Sequence, residues 1–344
     1  MFKSTLAVAS IAGFVGWWWL RRKRKSGVYI GVDLGGTSIK AGLVSEAGYV
    51  LQSSEQLIED RSFHAVCVAI VDLCCSILRE QGTNWDQVSG IGVVMPGMVD
   101  TKTGVTVVVA NFPSWPKNAP FATTLRDLCG VLPVVDNDAN VALLAEVWQG
   151  AAKGHENAVM ITLGTGVGGA MISGGRLLRG RGNMAGEIGH AILKIGGRYS
   201  ANTGVHGIVE EYVSARAVGS IGQERAAPGS KLASLGSKLT CKDVFDIAAK
   251  GDEVACEIVD ETADLLAVLC INLTRFMDPS VIILTGGMTA AGDVLLEKIK
   301  LRFLHHNWTL DSPTCLIQYA NLGTKAGIVG AAFLCHPAAH KIVF

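Results

Sequence analysis

The residues best suited to chemistry in this 344-residue chain follow an apolar run near its middle. The motif D-N-D-A-N occupies 136–140, directly after the predicted strand at 131–135, and α/β sheets place their ligands at such strand ends. Asp138 is suited to take a proton from a bound hydroxyl, and the amide of Asn137 to orient a polyol. An Asp at a helix start is also a common N-cap. The motif therefore predicts either a general base or a helix cap.

A second group of chemically capable residues lies in the motif G-E-I-G-H at 186–190. Glu187 and His190 are three residues apart in a glycine-flanked loop, so both side chains can reach one ligand. The alternative is that each is a solvated or structural residue.

The chain contains two glycine-rich turns of matching design. The first, D-L-G-G-T at 33–37, precedes both motifs, and the second, L-G-T-G-V-G-G at 163–169, lies between them. Each turn lies between two apolar runs that predict strands. Aligning Leu34 with Leu163 keeps both patterns in step with a one-residue shift, which indicates an internal repeat about 129 residues apart. Glycine lets a backbone approach an anion, and successive N–H groups then bind phosphate oxygens. Two facing hairpins of this kind are expected to hold a polyphosphate between two lobes.

The second turn also satisfies the dinucleotide-binding pattern G-x-G-x-x-G through Gly164, Gly166 and Gly169. That pattern requires a helix directly after the glycines. The continuation at 170–176 is short, apolar and interrupted by glycines, so it predicts a strand. We therefore interpret the segment as a hairpin.

Strand and helix patterns alternate through the rest of the chain, which predicts an α/β architecture. The duplicated hairpin predicts two related lobes with an active-site cleft between them. We place an N-terminal α/β lobe at 28–136 and a C-terminal α/β lobe at 137–324. A last helix at 325–336 is expected to join the first lobe.

The N-terminal residues 1–27 hold six of the 30 Lys and Arg residues and no acidic residue. The uncharged stretch at 4–20 ends in three tryptophans, and a basic cluster follows at 21–25. As a helix the stretch is roughly 25 Å long, near the lower limit for crossing a bilayer. Tryptophans suit a membrane interface, and the basic cluster should stay cytosolic. We predict a membrane anchor helix with the catalytic body in the cytosol, at the mitochondrial outer membrane or, alternatively, the endoplasmic reticulum.

A cleavable signal peptide is the alternative for this N-terminus. Its basic residues should precede the apolar stretch and a small-residue cleavage site should follow, but the order of charges is the reverse and no such site occurs. The remainder of the chain has 24 basic and 30 acidic residues, a net charge of −6. This mildly acidic body argues against nucleic acid as a partner.

The order of the motifs resembles one family. They are D-L-G-G-T at 33–37, P-G-M-V-D at 96–100, N-D-A-N at 137–140, L-G-T-G-V-G-G at 163–169, G-E-I-G-H at 186–190 and L-T-G-G at 284–287. The chain resembles the ROK (repressor, open reading frame, kinase) family of sugar kinases, and most of all its glucokinases, from about residue 28 to 335. The resemblance implies the actin-like, RNase H-like fold of two lobes with ATP and a sugar in the cleft.

The resemblance also implies a role for each matching residue. Asp138 would be the catalytic base that acts on the sugar 6-hydroxyl, and Asp33 would help to hold the Mg²⁺ of MgATP. The ATP and its phosphates would be bound by Gly35, Gly36, Thr37, Gly164, Thr165, Gly166, Gly286 and Gly287. The sugar hydroxyls would be bound by Gly97, Asn111, Asn137, Glu187, His190 and Glu210.

One segment departs from the family pattern. The family follows G-E-x-G-H with C-x-C-G-x-x-G-C and a Glu, and three of its cysteines join the histidine on a structural zinc. Here Ala201, Thr203 and Ile208 stand where those cysteines belong, although Glu210 remains. Two histidines without thiolates make a poor tetrahedral zinc site. We therefore predict no zinc, which leaves open how Glu187 and His190 are held.

The leading hypothesis is an ATP-dependent hexokinase that phosphorylates glucose at its 6-hydroxyl. The first alternative is a kinase for N-acetylmannosamine or another hexosamine, and Met98 argues slightly against it because its side chain offers an acyl group no polar partner. A membrane-tethered sugar sensor without turnover is an alternative of another class. The family's transcriptional repressors carry an N-terminal helix-turn-helix, whereas here the first glycine turn begins near residue 33 behind the apolar stretch, which argues against DNA binding. The resemblance also implies a homodimer.

Overall fold

The computed structural model of the protein describes residues 27–109, 111–306 and 315–343. The predicted anchor at 4–20 lies outside these residues. Across the described ranges no single helix is long and apolar enough to cross a membrane. One sharply bent pair, Gly323–Leu334 with Pro337–Val343, passes that test by length and composition only.

The first lobe is built on a five-stranded sheet with the order β3-β2-β1-β4-β7. Strands β1 to β3 form an antiparallel meander, and β4 and β7 continue the sheet in parallel with β1. The strands are β1 (Val28–Leu34), β2 (Ser38–Ser45), β3 (Val50–Leu57), β4 (Val88–Met95) and β7 (Val134–Asn137), with a separate pair β5 (Met98–Asp100) and β6 (Val105–Val108). Helices α1 (Phe63–Glu80) and α2 (Phe121–Cys129) share one apolar core with this sheet.

The second lobe repeats this topology, as the internal repeat predicts. Its sheet has the order β10-β9-β8-β13-β14, again a meander followed by two parallel strands. The strands are β8 (Ala158–Leu163), β9 (Val167–Ser173), β10 (Arg176–Leu177), β13 (Val281–Thr285) and β14 (Leu316–Tyr319). The residues after the second glycine turn thus form a strand, which confirms the hairpin and excludes the dinucleotide-binding helix.

Additional elements enlarge the second lobe. They are the hairpin β11 (Tyr199–Ser200) and β12 (Val205–His206), followed by helices α4 (Glu210–Val213), α5 (Ala215–Arg225), α6 (Lys231–Leu235), α7 (Cys241–Ala248), α8 (Glu253–Met277) and α9 (Asp293–His306). The apolar sides of these helices share one core with β8 and β13.

Two helices join the lobes. Helix α3 (Asp138–Gln149) packs on β8 and β9, while α10 (Ala326–Leu334), which is followed by α11 (His340–Val343), packs on β1 and β4. The two helices also pack on each other. Glycines at 31 and 92 allow α10 to approach the sheet closely, because a Cβ at either position would overlap the α10 backbone.

Strand β7 begins later than the sequence predicts. The predicted strand covers 131–135, whereas β7 spans Val134–Asn137. Pro133 explains the shift, because proline has no N–H to donate to a ladder. The strand therefore ends in the polar motif itself, and α3 starts at Asp138 without a loop.

Candidate active site

Two cavities lie on either side of the second glycine turn. The larger, of about 550 Å³, is lined by Thr165 of this turn and by residues of α5, α7 and the segment after β13. The smaller, of about 430 Å³, is lined by Gly168 and Gly169 of the same turn and by residues of both lobes. The turn is thus a shared wall between two separate binding spaces.

The larger cavity combines apolar walls with a few polar groups. Leu239 and Phe245 contribute apolar surface. Lys242 pairs with Asp246 of the same lining, and Arg216 pairs with Glu211. An apolar lining with a few polar groups suits a flat ring system. Of the residues predicted to bind ATP, Thr165 and Gly287 line this space.

Gly286 and Gly287 behave differently although they are neighbours. Gly286 has a φ of +100°, and a Cβ there would overlap the backbone of Leu163, so this glycine lets the end of β13 approach β8. Gly287 has open space around its Cα and faces the larger cavity. Gly286 therefore packs against β8 without lining the cavity, and Gly287 forms part of the cavity wall.

The smaller cavity collects predicted sugar-binding and catalytic residues from three separate segments. Those that line it are Gly97, Asn137, Asp138, Glu187 and His190. Met98 lines it too and adds apolar surface. The carboxylate, amide and imidazole groups suit a polyhydroxylated ligand.

Asp138 is the first residue of α3 but not its cap. The cap is Asn137, whose Oδ1 accepts the N–H of Asn140 at 2.9 Å. The carboxylate of Asp138 accepts the N–H of Ala139, at 2.9 Å, and its side chain remains open to the cavity. Surrounding protein atoms desolvate this carboxyl and raise its pKa. Asp138 is thus a stronger base than an ordinary aspartate, in a position to accept a proton.

Asp33 stands at the end of β1, opposite Asp138. Its carboxylate lies against the backbone of Gly327 in the first turn of α10, where a Cβ would overlap it. Desolvation raises the pKa of Asp33, Lys40 opposes this shift, and the negative charge of Asp138 adds to it. The carboxylates of Asp33 and Asp138 are therefore close enough to repel each other. This arrangement fits Mg²⁺, which binds proteins through one or two carboxylates together with substrate phosphates.

The first glycine turn lines neither cavity. It is closed by a hydrogen bond from Gly35 N–H to the carbonyl of Ser38, at 2.9 Å, and Thr37 is exposed. A Cβ at Gly36 would lie 3.0 Å from Nδ2 of Asn111. Asn111, which the resemblance assigns to the sugar, thus lies beside this turn and outside the smaller cavity's lining.

Glu210 supports the second glycine turn. Its Oε2 accepts the N–H of Val167 at 2.9 Å, and the same oxygen occupies the space where Gly166 would carry a Cβ. Gly164 closes the turn by donating to the carbonyl of Gly166, at 3.0 Å. Glu210 lies outside the lining of the smaller cavity, so its predicted contact with the sugar stays a prediction.

The segment that departs from the family motif is held by backbone pairing. Leu193 N–H donates to the carbonyl of Gly207, at 2.8 Å, and Val209 N–H donates to the carbonyl of Ala191, at 2.9 Å. Ile208 is buried at a position where the motif has a cysteine. These bonds fix the chain that leaves His190.

The donors in this segment do not fit zinc. Nδ1 of His206 lies 2.9 Å from the carbonyl of Gly197, and Ala201 and Ile208 offer no ligand atom. Within the described ranges, no group of three or more His, Cys, Asp or Glu residues is arranged to hold a metal ion. A tetrahedral site needs four donors, so no step of the chemistry is assigned to zinc.

Sequence reasoning missed an ion pair beneath the smaller cavity. Arg179, after β10, binds Asp136, at the end of β7, and both line the cavity. The sequence offers one signal for this ion pair, because Asp136 is the first residue of the polar motif at 136–140. Arg179 lies far from that motif along the chain, so only the folded structure brings them together.

Comparisons with known proteins agree with this architecture. A family model described as the ROK family matches residues 29–338. The chain is 34% identical over 312 residues to a glucokinase from Halalkalibacterium halodurans, a match that covers 89% of this chain and 94% of that protein. It is 27% identical over 316 residues to an N-acetyl-D-glucosamine kinase from Photobacterium profundum, covering 89% and 99%. The crystal structure of a ROK family glucokinase from Streptomyces griseus, in complex with glucose and AMPPNP, is similar with a TM-score of 0.71 and 32% identity, covering 90% of this chain and 99% of that one.

Proposed function

Since the chain belongs to the ROK family, we propose that it transfers the terminal phosphoryl group of ATP to the 6-hydroxyl of glucose. That it is an ATP-dependent sugar kinase follows from its relatives, which include a glucokinase and a structure that binds an ATP analogue. The position of transfer and the choice of sugar are the parts proposed here.

The observation that carries the proposal is the pair of cavities divided by the second glycine turn. A nucleotide in the larger cavity would direct its phosphates along the turn toward the smaller one. A sugar in the smaller cavity would meet them at Asp138. Phosphoryl transfer depends chiefly on such positioning and on neutralisation of charge.

Asp138 would accept the proton of the attacking hydroxyl. Its raised pKa favours this role, because a base is more effective as its pKa approaches the working pH. The bond from Ala139 N–H fixes one of its oxygens. The hydroxyl oxygen then attacks the terminal phosphorus, the bond from phosphorus to the bridging oxygen breaks, and ADP leaves with that electron pair.

The charge on the transferred group would be neutralised from both lobes. Mg²⁺, bound with ATP, supplies Lewis-acid stabilisation of the phosphate oxygens. Asp33 would hold this ion, since the negative charge of Asp138 adds to that of Asp33 and a bound cation would offset the repulsion. The N–H groups of Thr165 and Gly166 would donate to phosphate oxygens as an oxyanion-type site does.

The lining of the smaller cavity favours glucose over an N-acetylated sugar. Met98 lies at its edge and offers no hydrogen bond to an acetamido group. A hexosamine substrate is the second candidate, because one relative is an N-acetyl-D-glucosamine kinase.

A coupled assay of ADP release across glucose, mannose, fructose, N-acetylmannosamine and N-acetylglucosamine tests the proposal. We expect kcat/KM for glucose to exceed that for each N-acetylated sugar at least about tenfold, a difference of 1.4 kcal/mol in transition-state binding. NMR of the product should place the phosphate on carbon 6. Preference for an N-acetylated sugar would favour the second candidate, and no transfer to any hexose would refute the proposal.

We further propose that 4–20 anchors the protein in a membrane with the catalytic lobes in the cytosol, and that the lobes form a homodimer. The anchor proposal is supported by the uncharged stretch, its terminal tryptophans and the basic residues at 21–25. Fractionation of cells that express the full chain tests it, because recovery in the soluble fraction would contradict an anchor. Sedimentation of residues 28–344 tests the dimer.

A further inference from the structure

A buried ion pair ties the two lobes together beneath the smaller cavity. Nη2 of Arg179, which follows β10 of the second lobe, lies 2.6 Å from Oδ2 of Asp136 in β7 of the first. The side chain of Asp136 is 1% exposed and that of Arg179 is 16% exposed. A charge pair so shielded from water is strong only when its geometry is well defined.

The other oxygen of Asp136 holds the turn that carries the proposed base. Oδ1 accepts the backbone N–H of Asn137 at 2.8 Å and the side-chain amide of Asn140 at 3.0 Å. Asn137 in turn caps α3 through the N–H of Asn140. Asp138 lies between these two anchored residues. Its backbone position is therefore set by the carboxylate that Arg179 binds.

The bonding of Arg179 differs from that of arginines at the surface. Arg225 binds Glu261 through both of its Nη atoms, at 2.7 and 2.6 Å. Arg179 binds Asp136 through Nη2 alone, and its buried Nη1 has no protein partner. Leaving a buried donor unpaired costs stability. An ion pair that served only stability would be expected to use both atoms, so the position of Arg179 calls for another explanation.

We propose that Arg179 is a positioning residue for phosphoryl transfer, a role that rests on the proposed function. It holds Asp136 from the opposite lobe, and Asp136 holds the Asn137–Asn140 turn so that the Asp138 carboxylate faces the acceptor hydroxyl. Misplacement of reacting groups by about 1 Å costs roughly 10²-fold in rate. Loss of Arg179 therefore lowers kcat much more than it raises the sugar KM.

Kinetics of three variants test this role. We expect Arg179→Gln to lower kcat by roughly 10- to 100-fold while the glucose KM changes by less than about threefold. Arg179→Lys should recover about tenfold of that loss, because Arg179 uses one nitrogen and an ammonium can supply one bond. Arg225→Gln, which removes an ion pair of the same length on the surface, is the matched control and should leave kcat unchanged.

Hydrogen exchange of the backbone amides at 137–142 gives a readout that does not depend on turnover. In Arg179→Gln these amides should exchange about tenfold faster than in the wild type, and in Arg225→Gln they should not change. Unchanged exchange together with unchanged kcat would overturn the positioning role, as would equal effects of the two variants. If the wild type phosphorylates no hexose, the proposed function fails, whereas the exchange at 137–142 still decides whether Arg179 holds the turn.

Discussion

The two lobes share one sheet topology but differ at the ends of equivalent strands. Asp33 is the second-to-last residue of β1, and Thr162 occupies the same place in β8. The hydroxyl of Thr162 accepts the N–H of Gly168 at 2.9 Å, so the second hairpin is bonded to itself. Asp33 instead presents a charge toward Asp138. At this equivalent position the first lobe thus carries an ionisable carboxyl, and the second carries a neutral hydroxyl that bonds to its own hairpin.

The helices that follow the last strands show the same asymmetry. In the first lobe β7 leads directly into α3, which places Asp138 at the cleft. In the second lobe a loop separates β14 from α10, and the buried carboxylate of Glu146 accepts the N–H groups of Asn321 and Leu322 in that loop. Helix α10 then begins beside Asp33. The two halves of the duplicated scaffold therefore differ in how the chain continues after the last strand of each sheet.

The largest effect should come from removing the base in the first lobe. We expect Asp138→Asn to lower kcat by about 10²–10⁴-fold, the usual contribution of a positioned general base. Glucose affinity measured by calorimetry should stay within a few-fold, because the amide keeps the size and the bond from Ala139 N–H. Asp127→Asn, at an exposed position on α2, is the control. Near-normal turnover of Asp138→Asn would remove this residue from the base role.

A slightly smaller loss of kcat should follow from displacing the Asp33 carboxylate by a substitution at a neighbouring residue. Gly327→Ala places a Cβ in the space of the Asp33 carboxylate, so we expect roughly a 10²-fold loss of kcat and a higher Mg²⁺ requirement. Because this change acts through Asp33, it should have little further effect in an Asp33→Asn background. Full additivity of the two losses would show that Gly327 acts in another way.

The second lobe should respond through the nucleotide instead. Removing the support of the second glycine turn with Glu210→Ala should raise the KM for ATP about tenfold, the cost of one charge-assisted hydrogen bond. The glucose KM should change less. The opposite result, a large rise in the glucose KM with ATP unaffected, would assign Glu210 to the sugar as the family resemblance implies.

The raised pKa of Asp138 has a consequence for pH dependence and stability. The catalytic base must be ionised, so kcat/KM should fall as the pH falls through a pKa above the ordinary aspartate value. Desolvation disfavours the ionised carboxylate of Asp138 in the folded state. Its contribution to the free energy of unfolding is therefore fully present below the unfolded-state pKa and is lost as the pH rises through the folded-state pKa. At pH 7, Asp138→Asn should therefore melt above the wild type, and this difference should shrink toward pH 3. A lower melting temperature at pH 7 would contradict this.

The smallest effect should come from removing the N-terminal segment. Deleting residues 1–27 should leave kcat and KM within about twofold of the full chain, since no residue assigned to catalysis lies there. Assays of both proteins in the same detergent make the comparison direct. An inactive shortened protein would show that the two lobes do not contain the whole catalytic unit.

The sequence predicts well what local patterns determine. Apolar runs around the turns at 33–37 and 163–169 specify strands, and the early glycine pair after Ile172 excludes a helix. The same reasoning locates the polar motif at a strand end. It left open whether Asp138 is a general base or a helix cap, because only the backbone geometry shows that Asn137 holds the cap position.

The sequence could not predict contacts between distant segments. Asn111 lies beside Gly36, Glu210 supports Val167, and Arg179 binds Asp136 because folding brings separate loops together. Neither the hydrophobic periodicity nor the spacing of the motifs indicates which distant residues come into contact. The position of Gly327 against Asp33 likewise depends on how α10 packs between the sheets.

In the proposed function, sugar and nucleotide occupy adjacent cavities with the sugar's 6-hydroxyl facing the second glycine turn. Paramagnetic relaxation of the protons of bound glucose by Mn²⁺–AMPPNP measures this arrangement. We expect the two protons on carbon 6 to relax fastest and the anomeric proton more slowly. Fastest relaxation at the anomeric proton, or no difference along the sugar, would contradict it.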